Sequence, residues 1–247
     1  MVDSKESKST KISDSLKNRV STGIPGFDDL IGGGFLPNSV NLISGGTGTG
    51  KTIFALQFLY AGVIKGESGL FISMEEDLSD LKDDARALGW DFDRFEQEGR
   101  ITFLYVYPYN LSDFQSQLIS EITKVNAKRV VIDSTSVFGM ALEDDYEVRK
   151  QLYTFASQLK RLKCTALLTS EIVGEPSLDN SGLLSRFGVE EFVSDSVILL
   201  YYSGLGGEGD RALRIMKMRR TNHVKGIIPF KITDKGIAVL SKEKSYK

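Results

Sequence analysis

The octapeptide Gly45-Gly46-Thr47-Gly48-Thr49-Gly50-Lys51-Thr52 fills every fixed position of the pattern G-x-x-x-x-G-K-[ST], and no other stretch constrains the fold as much. Glycines let successive backbone N–H groups turn inward around an anion, while the helix that follows presents its unpaired first-turn amides and positive dipole end. That geometry needs a buried strand before the loop and a helix after it. Val40-Asn41-Leu42-Ile43-Ser44 reads as the strand, and Ile53 to Ile64 is apolar enough to read as a buried helix. Lys51 is then placed to reach the β- and γ-phosphates of a nucleotide, and the Thr52 hydroxyl to hold Mg²⁺. The competing reading is a glycine-rich turn that only joins strand to helix; both flanks fit the phosphate loop better.

The rest of the chain alternates strand-like and helix-like segments, which predicts an α/β fold with a mainly parallel central sheet flanked by helices. Strand candidates are Val40 to Ser44, Leu70 to Met74, Arg129 to Asp133 and Thr165 to Ser170. Leu78, Leu81, Ala85 and Leu88 share one helical face that stops at Gly89, a residue suited to a left-handed cap. Phe114, Leu118, Ile122 and Val125 mark a second helix, and Val148, Leu152, Phe155, Leu159 and Leu162 a third; these stripes are core. From Ser196 onward, Val197 to Tyr202, Leu213 to Met218 and Ile227 to Ile232 are short strands separated by turn residues, an antiparallel C-terminal extension. Residues 20–240 are expected to form one domain, between a disordered polar tail at 1–19 and a short polar tail at 241–247. No internal duplication is visible.

A phosphate loop of this kind works with a second acid. Val130-Val131-Ile132-Asp133 is an apolar strand ending in a carboxylate, expected on a strand beside the loop, where it would organise the Mg²⁺ shell; alternatively Asp133 caps the turn at Ser134-Thr135-Ser136. Glu75 and Glu76 follow another apolar strand, at the end of a parallel sheet where ligands gather. Side chains alternate along an extended chain, so the pair point different ways; Glu75 is the candidate base for an attacking water and Glu76 a supporting group. The alternative makes both, with Asp77, negative charge for the helix N-terminus at Leu78. The segment from Arg211 to His223 is basic and holds the only histidine. If it is extended, Lys217 and Arg219 project from one face, where they could neutralise a transferring phosphoryl group, or simply blunt a solvated edge.

Composition removes several function classes. The net charge is −2 over 247 residues, so nothing global attracts nucleic acid or anionic membrane. No window approaches eighteen apolar residues, and the N-terminal stretch lacks the apolar run of a secretory signal; a soluble cytoplasmic protein is expected, with no membrane partner. Cys164 has no partner for a disulfide or a metal and reads as a packing residue.

Six motifs follow one another as in a KaiC domain: Ser21 to Leu30, Ser44 to Thr52, Ser73-Met-Glu-Glu76, Val131-Ile-Asp-Ser134, Phe187 to Asp195 and Lys217 to His223. From about Val20 to Leu240 the chain resembles the single-domain KaiC-like proteins, of the archaeal kind, within the RecA-like P-loop ATPases. The resemblance implies a RecA-like P-loop NTPase fold and ATP with Mg²⁺ bound by Gly45 to Thr52. It implies Glu75 and Glu76 as catalytic glutamates alongside Lys51, and Asp133 as the strand-end metal acid. It also implies a homo-oligomer, a hexameric ring in the family, in which Lys217, Arg219 and His223 reach the neighbour's ATP in trans. Adenine over guanine rests on the resemblance alone.

The chain departs from the family in carrying one domain, so timekeeping is not implied. No adjacent Ser-Thr pair accompanies Ser177, Ser181 and Ser185, so autokinase activity is not implied either. Arg220 stands where the family commonly has glycine. The leading expectation is slow ATP hydrolysis at subunit interfaces of a ring, with nucleotide state controlling assembly or partner binding. An ATP-gated scaffold for an unidentified protein partner and a recombinase-like, nucleic-acid-dependent ATPase are the rivals, the last disfavoured by the acidic charge.

Overall fold

The computed structural model describes residues 18–107, 111–138, 144–172, 183–207 and 210–240. Residues 1–17, the 241–247 tail, Ser177 and Ser181 lie outside them. One nine-stranded sheet organises the described chain. Its strands are β1 (Val40–Gly45), β2 (Gly69–Ser73), β3 (Ile101–Tyr105), β4 (Arg129–Asp133), β5 (Thr165–Glu171), β6 (Ser196–Tyr202), β7 (Arg211–Met218), β8 (Ile227–Thr233) and β9 (Gly236–Val239). They lie in the order β3-β2-β4-β5-β1-β6-β7-β8-β9. The first six pair in parallel and the last three antiparallel, the RecA-like α/β architecture with a C-terminal antiparallel extension expected from the sequence.

Burial on both faces explains why the parallel strands read as continuous apolar runs. Alternate residues feed two separate cores: Ile43, Val131 and Leu167 face one, and Leu42, Val130, Ile132, Ala166 and Leu168 the other. The first core is covered by α1 (Phe27–Leu30), α2 (Lys51–Val63), α3 (Leu78–Ala87) and α4 (Phe92–Gln97), where Phe27 packs edge-on against Phe54 and Phe35 against Phe58. The second lies under α5 (Leu111–Val125) and α6 (Asp145–Arg161), with Phe114, Phe138 and Phe155 in ring contact. A short α7 (Glu190–Val193) leads into β6.

Helix α2 is buried almost all round because the C-terminal extension also closes over it. Gln57, inside the helix and buried, donates to the carbonyls of Gly23 (3.0 Å) and Ile237 (3.1 Å) and accepts from Ile237 N–H (2.7 Å). One further buried polar group pins the helix to the sheet. The Arg129 guanidinium, wholly buried, pairs with Glu67 at 2.5 Å, donates to the carbonyls of Ser21 and Phe58, and lies 4.6 Å over the Phe58 ring. It occupies the space left by Gly62, where a Cβ would fall 2.4 Å from the Arg129 Nε. At the far end of α3, Gly89 takes φ +79° and Trp90 N–H returns to the Ala85 carbonyl, the left-handed termination its sequence predicts.

The structure corrects the sequence reading in two respects. Strands β3 and β9 and the short helices α1, α4 and α7 were not foreseen. The strand ending in Asp133 is also not beside the loop strand: β1 pairs with β5 and β6, and β4 stands one strand further off, with β5 between. Cys164 is fully buried before β5, and burial pushes its thiol up to about 11, as a packing residue requires.

Candidate nucleotide site

The loop leaves β1 at the carboxyl end of the parallel strands. Gly45 has no room for a side chain: a Cβ would lie 2.6 Å from the Leu200 carbonyl and 2.8 Å from the Thr49 hydroxyl. Gly50 turns the chain into α2 at φ +98°, a conformation glycine adopts without strain. Thr49 Oγ closes the loop by donating to the Gly46 carbonyl at 2.9 Å. Lys51 Nζ points back along the loop and donates to the carbonyls of Gly45 (3.0 Å) and Gly46 (2.9 Å).

Three carboxylates converge on that ammonium. Burial lowers the Lys51 pKa, and Glu171, Asp133 and Glu75 each act to raise it. Asp133 is buried, and desolvation raises its carboxyl above the usual carboxylate range against hydroxyls of Thr169 and Thr52 that donate to it and the charge of Lys51. Thr52 and Asp133, from opposite sides of β5, therefore meet directly. Glu75 accepts from the Ser134 hydroxyl; burial raises its pKa, with Asp133 and Glu171 adding to the rise and Lys51 opposing it. Glu76 is also raised, first by burial and then by Asp133, Asp84 and Glu75. Its backbone is fixed by Ser73, whose hydroxyl donates to the Glu76 carbonyl and accepts from its N–H. Both glutamates thus feel Asp133; Glu75 also feels Lys51 and Glu171, and Glu76 feels Asp84 and Asp80 of α3.

This donor set suits a small hard cation that keeps most of its shell for water and phosphate. Among the described residues no three His, Cys, Asp or Glu side chains form a cage of their own, whereas Mg²⁺ is commonly held by one or two protein oxygens plus substrate phosphates. Thr52 and Asp133 supply such a pair.

Two residues at this end escaped the sequence reading. Glu171 closes β5, level with Gly45, its N–H donating to Ser136 Oγ at 2.7 Å; a carboxylate at the end of a central strand was the available signal. Arg211 opens β7, stacks 3.8 Å over the Tyr202 ring and donates to the Gly48 carbonyl. With Phe230, Lys231, Ile232 and Leu240 it lines a cavity of about 420 Å³ beside the loop, where Ile232 also approaches Gly50.

Lys217, Arg219 and His223 are elsewhere. In the antiparallel β6–β7 pair Arg211 faces Tyr202 at the loop end, while Lys217 faces Val197, which is level with Leu42 of β1. Arg219 N–H donates to the Asp195 carbonyl, and Asp195 in turn holds Val40 N–H with its side chain. Lys217 Nζ is occupied by the carbonyls of Glu191 and Ser194, both at 2.8 Å, and burial lowers its pKa. His223 is half-buried, its Nδ1 2.9 Å from the Val224 carbonyl. Lys217 and Arg219 sit toward the end of the sheet away from Lys51 of the same chain, and His223 lines a cavity with Arg214, Ile215 and Met216 alongside β7.

Fold and loop together define a P-loop nucleotide-binding protein of the RecA-like class. The chain belongs to the KaiC ATPase family: the family model "ATPase: KaiC" matches residues 20–244. It is 39% identical to the circadian clock oscillator protein KaiC of Synechococcus elongatus over 232 residues, 90% of this chain and 44% of that protein. It is 37% identical to the circadian clock protein KaiC3 of Synechocystis sp. over 234 residues, 90% of this chain and 45% of that protein. The chain therefore spans less than half the length of these relatives. The crystal structure of the KaiC-like protein PH0186 from the hyperthermophilic archaeon Pyrococcus horikoshii OT3 superposes with a TM-score of 0.81 at 39% identity, covering 91% of this chain and 99% of that one. No described helix is long and apolar enough to cross a membrane.

Proposed function

We propose that the chain is a Mg²⁺-dependent ATPase subunit that works head to tail in a homo-oligomeric ring, each nucleotide held by the loop of one subunit and completed by the next. The observation that carries this reading is the polarity of the sheet. One end gathers the loop, Lys51 and the carboxylates; Lys217 and Arg219 lie toward the other, Lys217 with its ammonium turned to Glu191 and Ser194 rather than to its own site. Basic side chains set away from the loop and acids of their own subunit favour a head-to-tail contact that brings them to the site of the next copy.

In this reading the amides from Gly46 to Thr52 and Lys51 hold the phosphate chain, and the cavity between Arg211 and Ile232 takes the purine. Bound Mg²⁺ would neutralise charge on the β- and γ-phosphates. Thr52 and Asp133 would hold it. Glu75, held by Ser134 with its pKa raised, orients and deprotonates the attacking water. Glu76 tunes that field from the α3 side. Lys217 and Arg219 of the adjacent subunit stabilise charge on the transferring phosphoryl group. The mass of the particle with and without Mg-ATP, recorded beside phosphate release, tests both halves. A monomer that hydrolyses ATP as fast at high dilution as at micromolar concentration would defeat the reading.

A further inference from the structure

The segment Phe187 to Asp195 has no place in the chemistry above, yet it holds a buried acid that forms no ion pair among the described residues. Among the described residues, the carboxylate of Glu190, wholly buried on α7, accepts from Ser170 Oγ (3.0 Å), Val189 N–H (3.2 Å) and Phe187 N–H (3.3 Å), and shares the Ser185 hydroxyl (2.7 Å) with the Glu191 carboxylate. Burying a carboxylate is costly unless its lone pairs are filled, so this arrangement fixes Glu190 in one geometry. Ser170 also accepts from Arg186 N–H at 3.0 Å, and it directly precedes Glu171, one of the three carboxylates acting on Lys51. On its other side the same segment meets the basic strand. The carbonyls of Glu191 and Ser194 hold Lys217 Nζ, the Asp195 carbonyl holds Arg219 N–H, and the Asp195 carboxylate lies 2.9 Å from Lys160 and 3.9 Å from Arg219.

We infer that Glu190 and Asp195 are positioning residues: the 187–195 segment is a mount, anchored by Glu190 to the end of β5, that holds Lys217 and Arg219 in the pose in which they act on the next subunit. The inference rests on the ring reading above. It makes the basic pair dependent on the β5 end of their own subunit, so that a change around Glu171 is transmitted through Ser170 and Glu190 to the neighbour's site. That chain runs through hydrogen bonds at Ser170 and at Lys217 and through the backbone between them, but contiguity alone does not establish coupling. The test therefore separates the subunit that presents the arm from the subunit that reacts.

Glu75→Gln subunits serve as carriers, silent at their own sites with the arm intact, and are co-assembled in excess with wild-type chains. Co-assembly is verified by pull-down of a tag on the carrier. Turnover per wild-type site is expected to survive with plain carriers. It should fall at least tenfold with carriers that also bear Lys217→Ala, and similarly with carriers that bear Glu190→Gln, whose oxygen can keep the Ser185, Val189 and Phe187 donors while its NH2 replaces the acceptor of the Ser170 hydroxyl and so breaks the anchor to β5. Glu190→Asp, which keeps the charge, should recover part of the loss. Asp195→Asn carriers, which leave the Glu190 anchor intact, should weaken turnover too and provide the reading if Glu190→Gln does not fold. If Lys217→Ala carriers have no effect, the ring reading fails and this inference with it. If Lys217→Ala carriers depress turnover while folded Glu190→Gln and Asp195→Asn carriers do not, the ring stands and the mount is refuted.

Discussion

Replacing Lys217 by Ala separates action within one subunit from action between two. Lys217 is level with Leu42, three residues before Gly45, and two strand spacings from β1. At about 3.3 Å per residue and about 4.8 Å per strand, it lies roughly 10 Å along and 10 Å across from the loop, or about 14 Å away. Its ammonium is turned toward Glu191 and Ser194. A unit charge at 14 Å through water contributes about 0.3 kcal/mol, less than a twofold rate effect, and salt near 0.15 M screens it further. A cation touching the transferring phosphoryl group is worth orders of magnitude. In steady-state phosphate release at saturating Mg-ATP, Lys217→Ala should therefore lower kcat at least tenfold with the particle mass unchanged. The variant's melting temperature should stay within a few degrees of wild type, because only two part-exposed hydrogen bonds are lost. A twofold or smaller loss from an intact oligomer would show that the residue acts only as a distant charge, and the argument from sheet polarity would be wrong.

Three further substitutions probe the site and its support. Glu75→Gln should reduce kcat by about 10²- to 10⁴-fold while leaving ADP affinity, measured by calorimetry, within a few-fold; undiminished turnover would remove Glu75 from the chemistry. Asp133→Asn should abolish Mg²⁺-dependent turnover and yet stabilise the nucleotide-free fold at pH 7 by roughly 0.5–2 kcal/mol, as expected where function maintains a destabilised group. Its carboxyl is raised in the folded state, so the native chain pays for a buried charge above that folded pKa, and the penalty fades as pH falls toward the unfolded value. The melting-temperature gap between variant and wild type should accordingly close on acidification; a gap that widens would contradict the assigned desolvation. Gly62→Ala gains up to about 1 kcal/mol of helix propensity but drives a methyl into Arg129 and its pairing with Glu67. Disrupting a buried pair costs about 3–5 kcal/mol, so melting should drop on the order of 10 °C; a rise would show that the guanidinium has room to move.

What the sequence disclosed followed the range of the interactions involved. The loop, β1 and α2 were legible because their geometry is local: glycines, a lysine and a hydroxyl at fixed spacing between two apolar runs. Strand β3 was missed because it is an edge strand with Thr102, Leu104 and Tyr105 only part-buried, and β9 because it is four residues long. Glu171 was missed for another reason. Its proximity to Lys51 depends on β5 lying between β1 and β4, a fact of strand order that no local spacing contains. Arg129 was hidden likewise, since a basic residue opening a strand is unremarkable until Gly62 on another element makes the space for it. Leu213 to Met218 was read correctly as a strand, but the strand ends there: Arg219 and Arg220 form a turn, so Lys217 and Arg219 do not share a strand face, and only the antiparallel register shows which end of the sheet Lys217 occupies.

Arg220 shows how a residue with a side chain is accommodated in the turn after β7. It adopts φ +53°, a left-handed conformation that costs a residue with a side chain about 1 kcal/mol relative to glycine. Both neighbours are held independently of it: Arg219 N–H by the Asp195 carbonyl, and the Thr221 hydroxyl by the Arg19 guanidinium at 2.9 Å. Val224 N–H is fixed further on by the Leu30 carbonyl. With the turn pinned on either side, Arg220 adds strain and some repulsion of Arg19 without redirecting Arg219 or His223. Arg220→Gly relieves the strain but frees the unfolded chain by a similar amount. Melting should then shift by only a few degrees and kcat by less than threefold. A tenfold fall in kcat with the oligomer intact would mean that the side chain at 220, rather than the pins around it, sets the pose of the turn.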